Sequence, residues 1–258
     1  MGSALVGGML SAGQAHPDAM HPDAIHIVER RAETRAALAE LFPGVGISDT
    51  IPPGESAVLA VKPQDAEAAC RALAGTSPPR VLSIVAGLRL SRLEQWLGPR
   101  AAVVRAMPNT PALLGAGASA LAAGKAAGED DLAWAEGILA AVGTVTRLPE
   151  QLLDAVTGLS GSGPAYVFLV AEALMDAGVS VGLSAEVSRD LVLQTLLGAA
   201  RMLAETGESA AALRDAVTSP GGTTAAGLSV LEARGLREAM AEAVVAATAR
   251  SRQLGEGA

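Results

Sequence analysis

In the stretch Ala211-Ala-Leu-Arg-Asp-Ala-Val-Thr-Ser-Pro-Gly-Gly-Thr-Thr-Ala-Ala-Gly-Leu-Ser-Val-Leu-Glu232, a tight turn lies between two apolar segments that have helical spacing. Glycines let the backbone of a turn approach another group closely, and the N-terminus of the following helix offers free N–H groups to an anion. We therefore predict a pocket for a small acid at this turn. Its predicted residues are Ser219, Gly221, Gly222, Thr223 and Thr224. An ordinary connection between two helices, capped by Ser and Thr, fits the same pattern.

The bulk composition limits the class of protein. The chain has 258 residues, enough for one large or two medium domains. Half of its residues are hydrophobic but only 2% are aromatic, so the core must consist of Ala, Val and Leu. A net charge of −8 without a basic block argues against a nucleic-acid surface.

Several features bear on the compartment. No apolar run is long and charge-free enough to span a bilayer, and the start of the sequence lacks the positive charge of a signal peptide. The single cysteine, Cys70, suits a reducing compartment. We therefore expect a cytoplasmic protein that binds neither membranes nor nucleic acid.

The first 150 residues alternate helical stretches with short apolar runs. Runs of strand length lie at 25–28, 58–61, 81–85, 102–106 and 142–146, and helices are predicted at 2–12, 31–41, 91–97 and 130–141. Strands that alternate with helices form a parallel sheet with covered faces. The pattern therefore predicts an α/β domain over residues 1–150.

From about residue 152 the strand signals stop. Pro164, Ser184 and Ser209 stand at predicted helix starts, and two more helices follow the Pro-Gly-Gly turn. These helices are rich in alanine and have wide apolar faces that a small domain does not bury alone. We therefore predict an all-α domain over residues 151–258 that forms homo-oligomers.

Loops that follow the predicted strands carry further candidates. Ligands of open α/β sheets bind at the carboxyl ends of the strands, where Ala-Val-Lys-Pro-Gln (60–64), Val-Ala-Gly (85–87) and Met-Pro-Asn-Thr-Pro (107–111) lie. Because a proline follows it, Lys62 turns away from the strand. A charge that only caps the strand is the alternative interpretation.

Two arginines follow the strand at 25–28. At this position of a dinucleotide-binding sheet, an acid favours a ribose 2′-hydroxyl and an arginine favours a 2′-phosphate. Arg30 and Arg31 therefore favour NADPH, with NADH possible because Glu29 precedes them. A solvated helix start explains the same charges.

Two other segments have unusual composition. Thr157-Gly-Leu-Ser-Gly-Ser-Gly-Pro-Ala-Tyr166 predicts a loop whose free backbone donors hold a carboxylate at a helix start. His16-Pro-Asp-Ala-Met-His-Pro-Asp-Ala24 duplicates a short motif. A metal site with His26 is conceivable, but Pro-Asp pairs form turns and imply no ligand geometry. We interpret the repeat as a surface loop and predict no metal.

Together these motifs resemble those of the pyrroline-5-carboxylate reductases over nearly the whole chain. The Ser-Pro-Gly-Gly-Thr-Thr core within residues 215–232 resembles the family signature, and residues 159–166, 107–111 and 60–63 support it. The resemblance implies a Rossmann-like sheet followed by a dimerisation domain. It also implies NAD(P)H-dependent reduction of the cyclic imine L-1-pyrroline-5-carboxylate to L-proline, in homodimers or dimer-based assemblies such as a decamer.

The resemblance also implies roles for individual residues. It assigns the cofactor to Val61, Lys62, Pro63, Ala86 and Asn109, and the residue patterns add Gly2, Ser3, Arg30 and Arg31. It assigns the substrate to Ser160, Gly161, Ser162, Gly163, Val217, Ser219 and Thr223, beside Gly221 and Gly222. We expect Thr224 to be the catalytic hydroxyl nearest the imine nitrogen and Glu150 to stabilise the substrate cation.

The sequence departs from the family at its start. Family sequences begin with a strand and Gly-x-Gly-x-Met-Gly, whereas this sequence begins at the Met, so Gly2 matches only the third glycine. That first strand is central, and its loss leaves two inner strands without a partner. We therefore expect the first strand to be missing from the sheet and cofactor binding to be weaker. Our preferred explanation is that translation begins upstream of Met1.

Two competing functions remain at this point. The first is a truncated, weak or inactive homologue that acts as an oligomeric small-molecule-binding protein. The second is a β-hydroxyacid dehydrogenase, which the sequence disfavours. Those enzymes use a lysine on a helix of the second domain, and no lysine follows Lys125.

Overall fold

A computed structural model describes residues 1–15 and 21–256 of the chain. The first copy of the duplicated motif, residues 16–20, lies outside the described residues. The chain forms two compact units, one of residues 1–162 together with the end of the chain from Val245, and one of Gly163–Val244. These bounds reflect compactness, and the division into cofactor and dimerisation domains at residue 150 stays a prediction.

The strands of the first unit form two sheets. In the smaller one, β1 (His26–Val28) and β2 (Gly46–Ser48) run parallel. The larger has the order β3-β4-β5-β6-β7, and its only antiparallel pair is β5 with β6. Its strands are β3 (Ser56–Leu59), β4 (Arg80–Ser83), β5 (Ala102–Met107), β6 (Gly117–Ala123) and β7 (Gly143–Arg147). The predicted Rossmann-like parallel sheet is thereby confirmed.

Within the described part of the chain four strands, β1, β2, β3 and β7, pair along one edge only. β1 pairs there only with β2, and β3 pairs only with β4. The described strands therefore form two separate sheets, which agrees with the expectation of a sheet without its first strand.

Helices cover both faces of the larger sheet. Those of the first unit are α1 (Gly2–Ala15), α2 (Ala32–Leu41), α3 (Ala66–Ala74), α4 (Leu90–Leu97), α5 (Glu129–Ala140) and the short α6 (Leu153–Val156). Alternate strand residues face opposite sides, so Val81 and Val103 pack with α3 and α4, whereas Leu82 and Val104 pack with α1 and α5. The core is built mainly from Ala, Val and Leu, as predicted.

The second unit consists of helices. They are α7 (Gly163–Ser180), α8 (Ala185–Glu205), α9 (Ala210–Ala216), α10 (Thr223–Ala233) and the first part of α11 (Leu236–Glu256). The predicted caps are confirmed, since the hydroxyls of Ser184 and Ser209 accept hydrogen bonds from the N–H groups of Val187 and Ala212, both at 3.2 Å. No helix in residues 1–15 and 21–256 is long and apolar enough to cross a membrane.

The second unit has almost no buried residue of its own. Of residues 163–244, all of which the structure describes, only Ser188 is buried. Large apolar side chains remain in contact with solvent, and Phe168 is 65% exposed. This confirms that the apolar faces of these helices are wider than the unit can cover by itself.

Several features of the fold differ from the sequence prediction. β2, β6 and α3 were not predicted. The strand β6 was missed because it is built from Gly, Ala, Ser and Leu without β-branched residues. α1 continues through Gly13 to Ala15, beyond its predicted end at residue 12, and α7 continues through Gly178 to Ser180. At Gly178 a Cβ atom would overlap the hydroxyl of Ser188 on α8, so this glycine allows two helices to pack closely.

The single cysteine gives a probe of the native core. Cys70 lies fully buried on α3, and burial raises the pKa of its thiol to about 11. Only about one molecule in a thousand then carries the thiolate at pH 8. We expect the native protein to resist dithionitrobenzoate, and the protein unfolded in guanidinium to react promptly with one equivalent. Equally fast reaction of both forms would mean that α3 opens readily.

Candidate active site

Two loops that the sequence predicts to contact a cofactor follow neighbouring parallel strands and therefore lie at the same edge of the sheet. After β3, Val61 and Lys62 are exposed, and the backbone of Lys62 is extended ahead of a 3-10 turn at Pro63–Asp65. After β4, Val85 is buried and anchors the loop while Ala86 is exposed. At both strands a buried residue, Leu59 or Val85, is followed by exposed loop residues. Such loops at the carboxyl ends of strands are where ligands of open α/β sheets bind.

The start of α1 reaches the same region. α1 begins at Gly2, and a Cβ atom on Gly2 would lie 3.2 Å from the Cβ of Ala60, which follows β3. Ser3, in the first turn, is exposed. Gly2 and Ser3 therefore lie beside the Lys62 loop, where N–H groups of a helix start suit an anion.

Charged groups surround the carboxyl end of β1. Arg30 is 74% exposed and pairs with Asp65 at 3.2 Å, and Arg31 pairs with Glu29 at 3.4 Å. A hydrogen bond from the N–H of Arg31 is the main cause that lowers the pKa of Glu29, so this carboxyl is ionised at neutral pH. The loop therefore presents both an acid and two exposed arginines.

Arg35 supports this loop, and the sequence did not point to it. Its guanidinium Nη1 donates hydrogen bonds to the carbonyls of Glu29 at 2.9 Å and Arg30 at 2.8 Å. Arginine is common on exposed helix faces, so nothing in the local pattern distinguishes this side chain. Its role follows only from the way α2 returns past the end of β1.

Asn109 is buried, and both ends of its amide already have a partner in the protein. The side-chain Oδ1 accepts a hydrogen bond from the N–H of Ala118 at 2.8 Å. The side-chain Nδ2 donates to the carbonyl of Ser160 at 3.1 Å. The sequence predicted a cofactor contact here and missed these two bonds, of which the one to Ser160 spans 51 residues.

The Gly/Ser segment is a helical turn, and the predicted loop with free donors is wrong. Thr157–Gly161 forms a π-helical turn that leads into α7. The N–H of Ser162 donates to the carbonyl of Thr157 at 2.8 Å and is not free. The hydroxyl of Ser160 donates to the carbonyl of Val156 at 3.2 Å. Glycine-rich composition suggested a loop, but the N–H of Ser162 and the hydroxyl of Ser160 both donate to carbonyls of the helical turn.

The Pro-Gly-Gly turn has the predicted geometry. Gly221 has a φ of +71°, a left-handed conformation that favours glycine. The N–H of Gly222 donates to the carbonyl of Ser219 at 3.0 Å, and a Cβ on Gly222 would overlap the Ser219 hydroxyl. α10 begins directly afterwards with Thr223 and Thr224, both exposed. The turn thus presents two hydroxyls at a helix start.

Glu150 does not fit the role predicted for it. Its Oε1 accepts a hydrogen bond from the guanidinium of Arg105 at 3.0 Å and another from the N–H of Leu90 at 2.6 Å. Arg105 already neutralises this carboxylate, so the structure argues against Glu150 as the group that stabilises a substrate cation. The sequence missed Arg105 because its partner lies 45 residues away.

The predicted substrate residues fall into two groups. The first unit contains Ser160, Gly161 and Ser162 at the π turn, close to Asn109. The second unit contains Gly163 at the start of α7 and, around the Pro-Gly-Gly turn, Val217, Ser219, Gly221, Gly222, Thr223 and Thr224. Their roles toward a substrate stay predictions.

Comparison with known proteins matches this arrangement to one family. Residues 150–254 match the family model described as pyrroline-5-carboxylate reductase dimerisation. A pyrroline-5-carboxylate reductase from Synechocystis sp. is 52% identical over 203 residues, which cover 78% of this chain and 76% of that protein.

Solved structures extend the likeness through both units. A pyrroline-5-carboxylate reductase from Coxiella burnetii has a TM-score of 0.90 at 37% identity, covering 98% of this chain and 94% of that one. A pyrroline carboxylate reductase from Plasmodium falciparum, with NADP bound, has a TM-score of 0.85 at 31% identity and covers 99% and 94%. Sequence identity, fold and site motifs therefore agree, and the chain belongs to the pyrroline-5-carboxylate reductase family.

Proposed function

We propose that this chain reduces L-1-pyrroline-5-carboxylate to L-proline with a nicotinamide cofactor. The observation that carries the proposal is the Pro-Gly-Gly turn, which presents Thr223 and Thr224 at the exposed start of α10. A small acid needs such a site, because N–H groups at a helix start bind a carboxylate. The two loops at the carboxyl ends of β3 and β4 suit a dinucleotide.

The protein binds and orients the reactants in this proposal. When bound, the cofactor supplies the hydride, which is added to C5 of the imine. Within the second unit, the start of α10, Ser219 and Thr223 hold the substrate carboxylate. Thr224 lies nearest the imine nitrogen. Since no side chain in these groups is an evident acid, the substrate arrives with its nitrogen protonated, and hydride addition completes the amine.

The cofactor we propose is NADPH, with NADH as the weaker alternative. Exposed Arg30 and Arg31 provide positive charge for a 2′-phosphate at the end of β1. The cofactor contacts are proposed to be Gly2, Ser3, Val61, Lys62, Pro63 and Ala86. Initial rates with each cofactor test the preference, and equal kcat/KM values would contradict it.

The dimerisation family that residues 150–254 match supports homo-oligomerisation. We propose a homodimer, or dimers that assemble further into a decamer, because the second unit leaves its apolar faces exposed. Sedimentation velocity at micromolar concentration tests this, and a monomer would contradict it.

We also propose a cytoplasmic location, because the chain has a single cysteine, which suits a reducing compartment. The alternative of an inactive small-molecule-binding homologue is not favoured, since the relatives are reductases along most of the chain.

Replacing Thr224 with alanine should lower kcat/KM for pyrroline-5-carboxylate at least tenfold, a loss of about 1.4 kcal/mol in transition-state stabilisation. The reason is the loss of the hydroxyl nearest the imine nitrogen. Steady-state oxidation of NADPH measures it. Thr206→Ala, which removes an exposed hydroxyl at the end of α8, is the matched control and should keep wild-type rates. Unchanged kinetics in Thr224→Ala would remove Thr224 from the mechanism, and an inactive wild-type protein would refute the proposed reaction.

A further inference from the structure

Three alternate residues at the end of β5 and just after it, Arg105, Met107 and Asn109, contact one segment of the chain. Arg105 donates to Glu150 at 3.0 Å, and Asn109 donates to the carbonyl of Ser160 at 3.1 Å. Between them, the tip of Met107 packs on the π turn, since a Cβ on Gly161 would lie 2.7 Å from the Met107 Cε. Because strand residues two apart share a face, Arg105 and Met107 lie on the same side of β5. Together with Asn109, just beyond the strand, they hold this segment at three points.

The π turn is thereby held from two sides. Asn109 binds its backbone through the Ser160 carbonyl, and Met107 fills the space against Gly161. The other end of the Asn109 amide accepts the N–H of Ala118 in β6, which pairs with Thr144 in β7. A buried amide with both ends bonded has one orientation, so it fixes the distance between the sheet and the turn.

A π-helical turn is rare and needs such support. Turns of this type occur mostly as single insertions in helices and are frequent at functional sites. Here the turn carries Ser160 and Gly161, two of the proposed substrate residues. A shift of the turn therefore displaces substrate groups, whereas the loops after β3 and β4 do not depend on it.

We propose that Asn109 is a positioning residue for the substrate-side π turn, acting through the Ser160 carbonyl, and not a contact of the cofactor. The proposal rests on the proposed function in one respect, namely that the π turn faces the substrate. Its structural part, that Asn109 holds the turn, stands on the hydrogen bonds alone.

The substitution Asn109→Asp tests it with the least change of shape. The acid keeps an oxygen for the N–H of Ala118, but replaces the donor to Ser160 with an oxygen that repels the carbonyl. We expect the KM for pyrroline-5-carboxylate to rise at least tenfold, while the Kd for NADPH, measured by fluorescence, stays within twofold. Gln95→Glu, an exposed amide-to-acid change on α4, is the matched control and should alter neither constant.

A second measurement separates this proposal from the proposed function. The N–H of Ser162 donates to the carbonyl of Thr157 within the π turn. In Asn109→Asp this amide should exchange with deuterium at least tenfold faster than in the wild type. If Asn109→Asp does not fold, Met107→Ala serves in its place, and the Ser162 amide should exchange faster in that variant too. Unchanged exchange would overturn the positioning role. A tenfold weaker Kd for NADPH with an unchanged substrate KM would instead make Asn109 a cofactor contact. Inactivity of the wild type would refute the reaction alone.

Discussion

Replacing Gly143 with alanine is expected to destabilise the protein by about 3–5 kcal/mol. Gly143 begins β7 with a φ of +151°, which residues with a Cβ rarely adopt. It lies directly opposite Gly117 of β6 in the parallel register. A Cβ on Gly143 would overlap the carbonyl oxygen of Gly117 and lie 2.5 Å from its carbonyl carbon. The added methyl therefore meets backbone that cannot rotate away.

The backbone around Gly117 leaves little room to relieve this contact. A Cβ on Gly117 itself would lie 2.8 Å from the Cβ of Ala112 and 2.9 Å from the carbonyl oxygen of Val142. Its N–H also donates to that carbonyl at 2.8 Å. Moving Gly117 away from a new methyl would break this bond, so the strain should appear as lost stability. Guanidinium unfolding followed by circular dichroism at one protein concentration measures it, since oligomerisation makes stability depend on concentration.

Gly137→Ala is the matched control for Gly143→Ala. Gly137 lies on the exposed side of α5, and a Cβ there has no atom within 4 Å. Alanine is the better helix former, so this variant should gain about 0.5–1 kcal/mol. A Gly143→Ala protein within 1 kcal/mol of the wild type would mean that β6 and β7 are not packed as closely as the structure has them.

The parts of the fold that the sequence predicted depend on local signals. β4 and β5 coincide with apolar, valine-containing runs to within two residues, because a buried parallel strand needs such a run wherever it lies. The Pro-Gly-Gly turn was predicted for a similar reason. A left-handed residue at Gly221 and a helix start at Thr223 are both properties of a few adjacent residues.

The parts that the sequence missed depend on distant partners. β6 is a strand because β5 and β7 pair with its two edges, and its own residues have weak strand preference. The π turn was interpreted as a loop because Gly and Ser are loop formers. Its contacts with Met107 and Asn109 come from residues about 50 positions earlier. No local pattern contains that information.

The candidate site divides in the same way. Motifs located the loops after β3 and β4 and the turn before α10, because those positions depend on strand ends and helix starts. The hydrogen-bond partners of individual polar side chains could not be predicted from these motifs. Asn109 and Glu150 were both assigned to ligands, whereas each has protein partners that settle much of its bonding. A buried polar group has to be paired, and the sequence does not say with what.

Replacing Arg105 with methionine is expected to cost about 3–5 kcal/mol in the free energy of unfolding. The Arg105 side chain lies on β5 and is only 5% exposed, and its partner Glu150 is 26% exposed. Methionine fills a similar volume but leaves the carboxylate without a counter-charge in a largely buried place. Glu150 also holds the N–H of Leu90, so its displacement would loosen the start of α4.

Arg201→Met is the control for the loss of an arginine as such. Arg201 pairs with Glu205 one helical turn later, at 67% and 58% exposure, and pairs of this kind contribute about 0.3–0.5 kcal/mol. In the Arg105→Met background, adding Glu150→Gln should restore part of the stability, because a neutral amide needs no counter-charge and still accepts the N–H of Leu90. Chemical unfolding of the wild type, Arg105→Met, Glu150→Gln and the double variant completes the double-mutant cycle. If Arg105→Met lost no more than Arg201→Met, the buried pair would contribute no more than a surface pair, and Glu150 would again be available as a charge for the substrate.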